Sequence, residues 1–73
     1  MGSATTTRLN VNINRATADA LRGLAEKHGV TVTDIVRQAT GLYQVIDEEL
    51  SDPDQVLEIR NKKTKEVSRI RLI

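Results

Sequence analysis

Arg8, Asn10 and Asn12 sit at alternate positions in the run Arg8-Leu9-Asn10-Val11-Asn12-Ile13-Asn14. Along a strand, residues at a period of two share one face. That face therefore carries one guanidinium and two carboxamides, groups that bond planar arrays of donors and acceptors. Arg is bidentate to O6 and N7 of guanine, and Asn to N6 and N7 of adenine; each good pair is worth about 1–3 kcal/mol of discrimination between bases. Asn is depleted in strands, so three of them on one face are not explained by strand propensity. Leu9, Val11 and Ile13 form the opposite, apolar face.

A second group opens another element. Thr31, Val32 and Thr33 stand where a helix restarts after Gly29. Free backbone N–H groups and the positive end of the helix dipole suit a phosphate there, and the two threonines add hydroxyls. Arg15, at the start of an earlier helix, is a further candidate phosphate contact.

Other chemistry is poorly provided for. His28 is the one histidine and there is no cysteine, so thiolate metal sites and disulfides are excluded, and one imidazole cannot build a conventional zinc site. His28 lies beside Gly29 with no Ser, Cys or carboxylate at a catalytic spacing, and suits the negative end of a helix. Asp47, Glu48, Glu49, Asp52, Asp54 and Glu58 lack the alternating ligands and turn glycine of a calcium loop. No enzymatic activity and no cofactor are expected.

These residues need elements to hold them. Residues 8–14 read as a half-buried strand, preceded by a flexible arm at 1–7. Asn14 suits a helix N-cap, and Ala18, Leu21, Leu24 and Ala25 follow at helical spacing, giving a helix near 15–27 that Gly29 closes. Thr31-Val32-Thr33-Asp34 resembles a capping box with Asp in place of Glu. Ile35, Val36, Ala39, Leu42, Tyr43, Ile46 and Leu50 then make a wide apolar face on a second helix of roughly five turns. Pro53 stops it, and 51–55 form a linker. Residues 56–60 and 67–72 read as a hairpin with Leu57, Ile59, Ile70 and Leu72 on one face and Arg60, Arg69 and Arg71 on the other. The turn at 61–66 has no Asn-Gly or Asp-Gly to fix the register.

The chain has 73 residues, enough for one thin aliphatic core, since Phe and Trp are absent and Tyr43 is the one aromatic. Chains this short bury little surface alone. The net charge of +1 hides segregation: residues 47–58 carry six acids and no base, and residues 59–73 carry six bases and one acid. No apolar run approaches the ~20 residues of a membrane span, and the N-terminus lacks the regions of a signal peptide. A soluble, cytoplasmic protein is expected.

The order strand, helix, helix, hairpin leaves a problem. A lone strand has unpaired backbone groups along both edges. It can pair with the C-terminal hairpin or with the same strand of a second chain. The second helix has more apolar face than one strand and one helix can cover, which favours two copies. Their paired strands would form a two-stranded ribbon, a shape that fits the major groove.

The run Arg8 to Ile13, then Leu21, Leu24-Ala25-Glu26, His28-Gly29-Val30-Thr31 and Ile35-Val36-Arg37-Gln38-Ala39, resembles the ribbon-helix-helix family of the Arc, MetJ and CopG type. The resemblance spans Arg8 to about Tyr43. It implies an α+β fold, an intertwined homodimer with a two-stranded antiparallel N-terminal ribbon, covering 8–50 here, with the hairpin 56–73 as an extension. It implies binding to double-stranded operator DNA, as a small repressor or an antitoxin, and hence nucleoid association when bound. The family's base-reading positions fall on Arg8, Asn10 and Asn12, and its phosphate-binding helix start on Thr31, Val32 and Thr33. Val32 stands where the family often has a basic or polar residue. Tetramers on adjacent half-sites are compatible with it. For the hairpin three roles stand open: an edge strand that binds a protein partner, extra electrostatic affinity for DNA or contact with a neighbouring dimer, and cover for the apolar face of the second helix.

Overall fold

The computed structural model describes residues 7–72. It holds two helices followed by a two-stranded hairpin: α1 at Arg15–His28, α2 at Val32–Glu49, β1 at Leu57–Arg60 and β2 at Val67–Ile70. The expected arm at 1–7 lies outside the described residues except for Thr7.

Local side-chain chemistry sets both ends of α1. Asn14 takes extended backbone angles, and its Oδ1 accepts the Thr17 N–H at 2.8 Å. Gly29 ends the helix at φ 66°, a left-handed conformation that costs a side-chain-bearing residue about 1–2 kcal/mol. From there the Val30 N–H donates to the Ala25 carbonyl at 3.0 Å. Thr31 then caps α2 reciprocally with Asp34. The Asp34 N–H donates to Thr31 Oγ1 at 3.0 Å, and the Thr31 N–H to Asp34 Oδ2 at 3.1 Å.

The chain divides into two compact units, one through Ile35 and one from Val36 onward. In the first, Ala25 and Ile35 are buried, and they are the buried side chains among the described residues. Residues 7–14 of this unit form neither helix nor strand. The strand expected at 8–14 is thus not formed within a single chain. The reason is physical: a strand exists by pairing, and the sheet among the described residues holds β1 and β2 alone.

In the second unit α2 runs to Glu49, and the chain turns over Ser51–Asp54, where Asp52 Oδ1 accepts the Asp54 N–H at 2.9 Å. β1 and β2 pair antiparallel with Leu57 opposite Ile70, Glu58 opposite Arg69, Ile59 opposite Ser68 and Arg60 opposite Val67. This register puts Leu57, Ile59 and Ile70 on one face, as their alternation requires. Asn61 organises the turn in place of the missing Asn-Gly. Its Oδ1 accepts the N–H groups of Lys63 at 2.8 Å and Thr64 at 2.9 Å, and its carbonyl accepts that of Lys65 at 2.8 Å. Lys65 takes the left-handed position, at φ 70°.

Candidate nucleic-acid interface

Arg8, Asn10 and Asn12 lie in the segment before α1 and all three are exposed. Their apolar neighbours are exposed too: Leu9 by 80%, Val11 by 63% and Ile13 by 50%. Three branched aliphatic side chains at alternate positions are left in water, although burying each would contribute about 1.5–3 kcal/mol. The segment has the pattern of a one-sided strand and no cover for its apolar side.

The two helix starts differ from what their sequence suggests. At α2, Thr31 Oγ1 and the Thr31 N–H are both engaged with Asp34. An acid therefore occupies part of the position proposed for a phosphate. The first-turn N–H groups of Val32 and Thr33 are the ones left for an anion. Asp34 was legible as a capping residue; that its carboxylate also shields the helix start follows from the same spacing. Val32 is 38% exposed and brings no charge. At α1, Arg15 is the first helical residue and the first turn holds no acid. A cation at a helix N-terminus opposes the dipole, so Arg15 has no local role there.

Arg8, Asn10 and Asn12 thus share one segment, and Thr31, Val32 and Thr33 share one helix start. No hydrogen bond or ion pair joins the two sets among the described residues. On the apolar side, α2 leaves Val36, Leu42 and Tyr43 about half exposed along the stripe that contains buried Ile35. An open groove between α2 and the hairpin is lined by Val45, Ile46, Leu50, Val56 and Leu57.

Among the described residues no group of three His, Cys, Asp or Glu side chains gathers as a metal site would require, and no helix is long and apolar enough to cross a membrane. Compared with protein-family models, curated proteins and solved structures, the chain matches none.

Proposed function

We propose that two copies of this chain pair their 8–14 segments antiparallel into a ribbon and bind double-stranded DNA through it, as a small transcriptional repressor of the ribbon-helix-helix kind. One observation carries the reading. Arg8, Asn10 and Asn12 alternate with Leu9, Val11 and Ile13, and the segment has neither a strand partner nor cover for its apolar side in its own chain. Pairing with a second copy meets both needs at once. It satisfies the edges of the strand, and it turns Leu9, Val11 and Ile13 toward the exposed stripes of the helices. Arg8, Asn10 and Asn12 of both copies then face outward as one two-fold patch of the width a major groove admits. The Val32 and Thr33 amides and Arg15 hold phosphates beside it.

The test is selection of bound sequences from a random duplex pool, followed by titration of the selected site with Asn10→Ala and Asn12→Ala. Each substitution should weaken the selected site about 5- to 150-fold and leave binding to random duplex nearly unchanged. Binding of both variants equal to that of the unmodified protein would show that this face does not read bases.

A second reading uses the same dimer as a protein-binding scaffold, as an antitoxin does, with the hairpin as the partner surface. The groove along Val45, Ile46, Leu50, Val56 and Leu57 favours it. A defined complex with one partner protein, and no selected DNA site, would decide for it.

A further inference from the structure

The hairpin has an open edge whose charges complement themselves. We propose that β1 pairs antiparallel with β1 of a second copy, with Ile59 on the two-fold axis, so that two hairpins join into one four-stranded sheet. The inference stands on the hairpin alone and is independent of the ribbon.

The direction of the backbone groups comes first. The Asn61 N–H donates to the Glu66 carbonyl at 2.8 Å, in continuation of the β1–β2 register. In an antiparallel ladder the groups of alternate residues point to opposite edges. Leu57, Ile59 and Asn61 therefore turn theirs toward β2. Glu58 and Arg60 turn theirs to the open edge, where no strand pairs with them among the described residues.

Charge then selects the register. A two-fold pairing about Ile59 sets Glu58 opposite Arg60 of the second copy, and Arg60 opposite its Glu58. Each such pair exchanges both main-chain hydrogen bonds and brings opposite charges together. A pairing about Glu58 sets carboxylate against carboxylate, and one about Arg60 sets guanidinium against guanidinium. β2 offers no such match: Val67 to Leu72 contains Arg69 and Arg71 and no acid. Within each chain Arg69 Nη2 already lies 3.7 Å from Glu58 Oε2. In the four-stranded sheet every Glu58 is then flanked by an arginine on each side. Ile59, 62% exposed, meets its own copy across the axis.

The chain has no cysteine, so one introduced thiol reports this contact directly. Ile59 falls at a non-hydrogen-bonded pair, where Cα atoms lie about 4.5 Å apart, within disulfide range. In the full chain, Ile59→Cys should form a covalent dimer under mild oxidation. Ser68→Cys, on the same face but on β2, should stay largely monomeric on a non-reducing gel. Adding Arg60→Glu to Ile59→Cys sets Glu58 against glutamate and should slow cross-linking about tenfold. Inverting the whole row, with Glu58→Arg, Arg60→Glu and Arg69→Glu together, should restore the rate, with amide NMR confirming the hairpin in each variant. Cross-linking of Ile59→Cys no faster than Ser68→Cys overturns the proposal, and so does failure of the inverted row to recover. The first comparison keeps the native charges, so it holds even where a charge variant unfolds.

Discussion

Asn61 does at one position what the hairpin needs from a whole turn. Its side chain holds two backbone N–H groups, and its main chain closes the loop on both sides. Asn61→Ala removes the side-chain acceptor and leaves both donors to water. A loss of about 1–2 kcal/mol in hairpin stability is expected, at roughly 0.5–1.5 kcal/mol per bond. Amide exchange of Glu58 to Arg60 and Val67 to Ile70 should accelerate accordingly, while the α1 amides keep their protection. Equal protection in both proteins would show that the strands, not Asn61, hold the turn. At this scale much was readable beforehand. The caps at Asn14, Gly29 and Thr31 depend on neighbours within four residues, so spacing alone implies them. The turn was less legible, because its left-handed position is filled by Lys65, which no turn preference points to.

At the scale of elements, helix ends and strand registers follow from patterns in the sequence, and the state of residues 8–14 does not. The helices lie where the apolar spacing puts them, since a helix satisfies its backbone internally. The hairpin strands, shorter than expected at Leu57–Arg60 and Val67–Ile70, keep the expected facing because alternation sets it. A strand, by contrast, needs a second strand, and the sequence does not say which chain provides it. Arg15 supplies a test at this scale. As the first residue of α1 it opposes the helix dipole with no acid nearby. Arg15→Glu should raise α1 stability by about 0.3–1 kcal/mol at low salt. On the proposed reading it should also weaken DNA binding and lower the salt dependence by about one counterion. Thermal unfolding and a salt titration of affinity together check the pair of effects. Stability and affinity moving in the same direction would remove Arg15 from the interface.

For the whole molecule the decisive quantity is how little one copy buries. Ala25 and Ile35 are the buried side chains among the described residues, while Leu9, Val11, Leu42 and Ile59 are each at least 60% exposed. A core this thin is a weak basis for stability in a single chain. If copies associate through these surfaces, folding and association are one equilibrium, and the midpoint must depend on protein concentration. A hundredfold dilution should lower the thermal midpoint by several degrees. A midpoint unchanged over that range would mean the single chain is stable alone, and the ribbon would lose its energetic basis. The two proposed contacts also differ in kind. The ribbon joins chains through the first unit and the hairpin sheet joins them through the second, so each can be broken without the other. Loss of sequence-selective binding with intact Ile59→Cys cross-linking would separate them.

Tyr43, half exposed on the apolar stripe of α2, is the chain's one aromatic residue. All near-ultraviolet absorbance and fluorescence from side chains therefore originates at a single ring. Dilution, titration with duplex or a change of salt can be followed optically in the unlabelled protein, and any spectral change reports on the surroundings of that one helix face.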